Sequence, residues 1–156
     1  MNNNSTYVDI RNIKPDDEKQ KETMLKIIKN GDDPFAMDNL LKYHQMPVLD
    51  KSKYWVLTSN QYYKDAEFRF LIILKEYKEN LTELTAAEWG DLLKLVKMVS
   101  KQFKIKGGGF AMRFGDTSLS GATVKHLHCH LIVPKLDSPN YQPVSFFIGG
   151  RKTEKK

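Results

Sequence analysis

The sequence predicts an α+β domain. Its elements read strand, strand, long helix, strand, strand, which is not the alternation of βαβ units. That order suggests hairpins joined by one helical crossover. Two stretches anchor the reading. In His126-Leu127-His128-Cys129-His130-Leu131-Ile132-Val133, histidines recur at every second residue with apolar residues between them. From Thr85 onward, Trp89, Leu92, Leu93, Val96, Val99 and Phe103 recur at helical intervals.

Taken in order, residues 1–15 read as irregular. Asp16 to Asn30 reads as a helix: Pro15 and Asp16 start it, Met24, Leu25, Ile27 and Ile28 form its apolar stripe, and Asn30-Gly31 stops it. A short helical piece follows around Met37 to Tyr43, closed off by Pro47. His44 stands alone there, and an isolated histidine is more often a surface or packing residue than a ligand. Tyr54 to Thr58 is β-branched and aromatic, a strand. Asn60 to Asp65 is polar and reads as a turn.

Glu67 to Lys75 is a strong strand with Phe68, Phe70, Ile72 and Leu74 on one face. Arg69 shares the other face with Leu71 and Ile73, an unusual neighbour for a core. Thr85 and Glu88 have capping-box spacing at the start of the long helix, and Gly107-Gly108-Gly109 ends it. Phe110 to Phe114 should be a strand, Gly115 to Gly121 a loop, and the histidine strand follows until Pro134 closes it. Residues 135–156 are interrupted by Pro and Gly and carry an apolar patch, Val144 to Ile148.

The chain has 156 residues, 40% hydrophobic and 28% charged, enough for one domain with a real core. No internal repeat or linker divides it, so a single domain over 1–156 is expected. No apolar run approaches the ~20 residues that span a bilayer, and no membrane association is expected. Met1 to Ser5 has no apolar leader core, and a single Cys129 fits a reducing compartment. A cytoplasmic location is therefore expected. The net charge of +6 favours polyanionic ligands, though the lysines are scattered and form no long block. Nucleic acid is for that reason a possible but not a favoured partner.

On a strand, His126, His128 and His130 share one face, while Leu127, Cys129, Leu131 and Val133 share the other. The second face reads as core, and a core has little use for three imidazoles. Two chemistries use such a row. One is metal ligation. The other is nucleophilic and acid–base work on phosphate, since imidazole can attack phosphorus and leave again near its pKa of ~6.5. The preceding loop favours phosphate. Gly115 to Thr123 offers glycines, hydroxyls at Thr117, Ser118, Ser120 and Thr123, and backbone N–H groups. A metal site would recruit a distant Asp, Glu or Cys, and the sequence offers no clear candidate.

These residues resemble the histidine triad (HIT) family. His126 to Ile132 matches its His, apolar, His, apolar, His, apolar, apolar motif, and Gly121 to Lys125 resembles its approach to the triad. Phe70 to Ile73 and Leu81 to Glu88 resemble its central strand and helix entry. The resemblance covers roughly residues 50–136, which leaves an N-terminal helical extension and a C-terminal tail. It implies a nucleotide-binding fold with a five-stranded antiparallel sheet, often dimeric, and hydrolase or transferase chemistry at an α-phosphate. By position it implies that His128 is the nucleophile, that His130 contacts phosphate and that His126 orients its neighbour. Thr123 would donate to phosphate with the Gly121 backbone close by, and Ser120 belongs to the same loop.

The chain departs from the family pattern at three places. Arg69 stands where members often have a histidine, Arg113 where many have Asn, and Ala122 where Gln is common. The loop from Gly115 to Gly121 is also slightly long. Guanidinium groups suit bidentate phosphate contacts, so Arg69 and Arg113 point to a polyphosphate, with a structural salt bridge as the equal alternative. Asn60 to Tyr63 resembles the branch that cleaves diadenosine polyphosphates, with Asn60 near the ribose.

The expected function is a hydrolase or phosphorylase that splits a nucleoside polyphosphate or phosphoramidate through a nucleotidyl-His128 intermediate. No cofactor is required, although Mg²⁺ could accompany a polyphosphate. A nucleotide- or nucleic-acid-binding module with weak turnover is the second reading, motivated by the basic balance and by Arg69 and Ala122. A metalloenzyme is the third. A homodimer is expected from the resemblance and from apolar residues such as Trp89 and Val144 to Ile148.

Overall fold

The computed structural model describes residues 6–61 and 66–151. Five antiparallel strands form one sheet: β1 (Val48–Lys51), β2 (Trp55–Ser59), β3 (Ala66–Leu74), β4 (Gly109–Met112) and β5 (His128–Pro134). Their order is β1-β2-β3-β5-β4. The helices are α1 (Glu18–Asn30), α2 (Met37–Tyr43), α3 (Ala86–Gln102) and the single turn α4 (Thr117–Ser120). Among the described residues, no helix is long and apolar enough to cross a membrane.

The two faces of the sheet have different tasks. On one, Trp55, Leu57, Ile72 and Leu74 of β2 and β3 join Leu127, Cys129 and Leu131 against Leu92, Leu95 and Val99 of α3. The crossover helix is fixed at its start. Thr85 caps it reciprocally with Glu88, and the buried Glu88 carboxylate accepts from Lys78 Nζ at 2.6 Å. The Trp55 indole N–H donates to Glu88 O at 2.9 Å and ties the first turn of α3 to β2.

The other face carries Val56, Leu71 and Ile73 with His128 and His130, because Leu71 pairs with His130 and Ile73 with His128 in register. The N-terminal extension covers this face. Leu40 of α2 packs on Val56, Leu71 and Ile73, while Met24 and Ile27 of α1 cluster with Val8, Ile13, Tyr43 and Val124. Helix α1 starts on Asp17, whose carboxylate accepts from Gln20 N, and stops at Gly31 in the left-handed region, φ +69°.

The elements differ from expectation in four places. Val48 to Lys51 forms a short edge strand that its mostly exposed, mixed sequence does not announce. Strand β4 ends at Met112, so Arg113 already lies in the loop. The stretch Gly115 to Gly121 is not a plain loop but contains α4, capped by Asp116. Strand β5 begins at His128, because Leu127 N donates to Lys78 O at 2.9 Å instead of continuing the ladder. The turn expected over Asn60 to Asp65 falls largely outside the described residues.

Candidate functional site

The site lies where β5, α1, α2 and the two chain extensions meet. All three histidines of the row are buried, with relative exposures of 1% for His126, 8% for His128 and 4% for His130. Each ring is held differently, and the differences assign chemistry.

His126 is fully engaged. Its Nε2 lies 2.5 Å from Leu74 O and its Nδ1 lies 2.6 Å from Asp33 Oδ2. A carbonyl only accepts, so Nε2 carries a proton. The rings of Tyr77 and Phe35 approach edge-on at 5.4 and 6.3 Å. With both nitrogens used, His126 cannot attack a substrate. It supplies its backbone carbonyl, which accepts from His128 Nδ1 at 2.8 Å.

That bond fixes the tautomer of His128: Nδ1 is the donor, and Nε2 is the bare, basic nitrogen. Burial is the main cause that lowers the His128 pKa to about 4, aided by the positive neighbourhood of His126 and Arg113. The ring is therefore neutral at physiological pH. Phe35 packs edge-on against it at 5.0 Å.

His130 is also held neutral, its pKa well below the usual histidine value, mainly by burial, then by coupling to the titration of His128 and by the positive charges of Arg113 and Arg69. Asn60 Nδ2 lies 3.4 Å from its Nδ1. An amide donor there puts the proton on Nε2, and Nε2 is buried with no hydrogen-bond partner among the described residues. A buried N–H without an acceptor is costly and signals a site that awaits one. The His128 and His130 rings lie 5.3 Å apart, so a bare nitrogen and an N–H donor line the same cavity.

That cavity, about 80 Å³, has an apolar wall of Met24, Ile27, Pro34, Phe35, Leu71 and Val124. Asn60, Thr123 and Arg113 also line it. Arg113 is engaged by the C-terminal segment: its Nε donates to Phe147 O at 2.9 Å, and its guanidinium carbon sits 3.9 Å from the centre of the Phe146 ring. Phe146 in turn lies 5.2 Å from the His130 ring. The apolar patch Val144 to Ile148 thus packs in part on the site.

Other expected residues are placed less directly. Gly121, φ +73°, approaches the C-terminal segment so closely that a Cβ there would meet Gly149 O at 2.4 Å. It lines a second, outer cavity and not the inner one. Ser120 is buried and lines neither cavity, because its Oγ accepts from Ala122 N at 3.3 Å within the loop. Arg69 is buried on the histidine face, paired in register with Ile132, and lines neither cavity. Its positive charge helps to lower the His130 pKa.

The loop is also a poorer phosphate cradle than its composition suggests. Leu119 N and Ser120 N donate to Asp116 O, Gly121 N to Thr117 O and Gly115 N to Glu79 O. Thr123 N makes no hydrogen bond among the described residues, and Thr123 lines both cavities.

Sequence reasoning missed three contributors. Asp33 sits between α1 and α2 with nothing local to mark it. Phe35 follows Pro34 in the same connection. His44, read as a bland packing residue, is indeed buried, but it also lines the inner cavity, with Nε2 2.8 Å from Thr58 Oγ1. The only usable signal was that an Asp-Asp-Pro-Phe run interrupts two amphipathic helices. Among the described residues, no group of three or more His, Cys, Asp and Glu side chains is arranged to hold a metal ion.

Comparison with known proteins bears on the fold that carries this geometry. Residues 61–136 match the family model of the HIT domain. A "Hit Like Protein" of known structure is 19% identical, with a TM-score of 0.50, over 59% of this chain and 91% of that one. The histidine triad nucleotide-binding protein from Candida albicans is 21% identical, with a TM-score of 0.50, over 78% of this chain and 82% of its own. The Plasmodium falciparum diadenosine triphosphate hydrolase, solved with cyclomarin A, is 21% identical over 60% and 65% of the two chains, TM-score 0.49. No curated protein matches the sequence significantly. At such identities the likeness is one of fold.

Proposed function

We propose, from the match of residues 61–136 to the HIT domain, that this protein cleaves a nucleoside polyphosphate or phosphoramidate at its α-phosphate. A dinucleoside polyphosphate is the substrate class that its arginines and basic balance suit. The observation that carries the reading is the pair of opposite tautomers: a bare Nε2 on His128 and a proton on the unpartnered Nε2 of His130.

In the first step His128 Nε2 attacks the α-phosphorus. A P–N bond forms as the bond to the leaving oxygen or nitrogen breaks and its electron pair departs with the leaving group, a polyphosphate as the anion and an amine with a proton taken from solvent. His130 Nε2–H donates to a phosphate oxygen, where charge builds. Nδ1–H of His128, held by His126 O, stabilises the positive ring of the nucleotidyl intermediate. In the second step water, or inorganic phosphate in a phosphorylase, attacks phosphorus; a P–O bond forms, the P–N bond breaks, the nucleophile's proton passes to solvent and His128 is released as the bare base. The apolar wall of the inner cavity suits a base, and Asn60 at its rim suits a ribose. Mg²⁺ brought in by a polyphosphate would neutralise charge on the leaving chain.

A second reading, a nucleotide-binding module with weak turnover, is favoured by one observation: Arg113 and the ring of His130 are covered by Phe146 and Phe147. Incubation with dinucleoside polyphosphates and with adenosine 5′-phosphoramidate separates the two. The hydrolase reading requires release of a nucleoside monophosphate. Binding without turnover of any member of either class supports the module.

We further propose a homodimer through α3 and the edge strand β4. Trp89, Leu93 and Phe110 are 40, 55 and 46% exposed and border one apolar hollow there. The single buried Cys129 suits a reducing, cytoplasmic setting.

A further inference from the structure

We propose that the outer cavity, built by the two chain extensions, is a subsite for a phosphate chain: the anionic leaving group of the substrate. This rests on the hydrolase reading above. The inner cavity, about 80 Å³, lies well below the ~300 Å³ at which ligand clefts begin, so the substrate must extend beyond it. The outer cavity, about 290 Å³, adjoins it through Gln20, Arg113 and Thr123, which line both. The two differ in character. The inner one is walled by apolar side chains, whereas the outer one, among the described residues, brings Lys14, Arg113 and Arg151 together with Asp17. Three cations converging on one hollow raise a positive potential there, which suits successive phosphates and not a nucleobase.

The hollow is built and not a chance gap between side chains. Gly150 N donates to Ser118 O at 2.9 Å, Gly149 N to Ser120 O at 3.3 Å and Arg151 N to Asn12 Oδ1 at 3.1 Å. A Cβ on Gly150 would meet Ser118 O at 2.6 Å, so the tail seats itself by backbone contact. Asn12 is itself anchored, its Nδ2 donating to Thr117 O and Ala122 O at 3.0 and 2.9 Å. The tail therefore carries Arg151 to the same hollow as Lys14, 137 positions away in sequence. With the α-phosphate at His128, the β-phosphate and those after it pass Arg113 and Thr123 into this hollow.

The test uses the full chain and inorganic tripolyphosphate as probe, read by titration calorimetry at two salt concentrations. Wild-type protein is expected to bind, more weakly at higher salt. Lys14→Ala with Arg151→Ala should weaken binding at least tenfold, and Lys14→Arg should retain it. In parallel, the double variant should raise KM for a dinucleoside tetraphosphate at least tenfold more than KM for adenosine 5′-phosphoramidate. Unchanged tripolyphosphate affinity, or an equal effect on the two substrates, overturns the subsite. Wild-type protein that binds tripolyphosphate through Lys14 and Arg151 but turns over neither substrate overturns the hydrolase reading and leaves the subsite standing.

Discussion

Asp33 Oδ2 lies 2.6 Å from His126 Nδ1, and both side chains are withdrawn from water, at 8 and 1% exposure. The carboxylate comes from the connection between α1 and α2, outside the 61–136 match. It therefore joins the N-terminal extension to the first residue of the histidine row. Removing one partner of a buried hydrogen bond leaves the other unsatisfied, at a cost of about 1–3 kcal/mol. Asp33→Ala should lose that much stability in urea unfolding. A double-mutant cycle with His126→Gln should show coupling of about 1–3 kcal/mol. Additive losses would mean that the pair is incidental.

His128→Ala should lower turnover by about 10⁴-fold or more, as loss of a nucleophile does, while nucleotide binding and the fold largely survive. His128→Gly should regain part of the activity with added imidazole. Rapid quenching should trap an acid-labile nucleotidyl adduct on His128. An adduct on His126 or His130, or wild-type turnover by the alanine variant, would sink the assignment.

The acid limb of activity should fall near pH 4, not near the ~6.5 of an ordinary histidine, because burial lowers the His128 pKa to about 4. The sign for stability follows. Above about 6.5 the ring is neutral in both folded and unfolded chains. Between there and about 4 only the unfolded chain takes the proton, so stability falls as pH drops through that window. His130, whose pKa is lowered in the same direction, adds to the fall. A kcat/KM profile and chemical unfolding between pH 4 and 8 check both statements, and an activity limb near 6.5 would contradict the first.

Arg113 and Arg69 should differ. Arg113 lines both cavities, so Arg113→Ala should weaken polyphosphate binding about tenfold and flatten its salt dependence. Arg69 lines neither, so Arg69→Ala should act mainly on stability and on the titration of His130. Equal losses of affinity in the two variants would reverse this ranking.

Sedimentation should give the mass of a dimer at micromolar concentration. Trp89→Glu with Leu93→Glu should release monomers, since charge on an apolar contact is strongly unfavourable. A wild-type mass that stays monomeric at all concentrations would exclude the dimer.

Much of this protein was legible in one dimension. Alternation in 126–133 separates the histidine face from the Leu127, Cys129 and Leu131 core without any neighbour in view, because a strand's two-residue period is intrinsic to its backbone. The Thr85–Glu88 cap and the stripe of α3 are equally local. What only the tertiary structure decided are pairings between segments far apart in sequence. Asp33 reaches His126 across 93 positions, and Phe147 O takes Arg113 across 34. Ser120 and much of the loop looked like phosphate ligands by composition, yet α4 and Ala122 use their hydrogen bonds. Composition reports which groups a chain owns. Which of them stay available is decided when the folded backbone satisfies its own donors and acceptors, and no local pattern encodes that outcome.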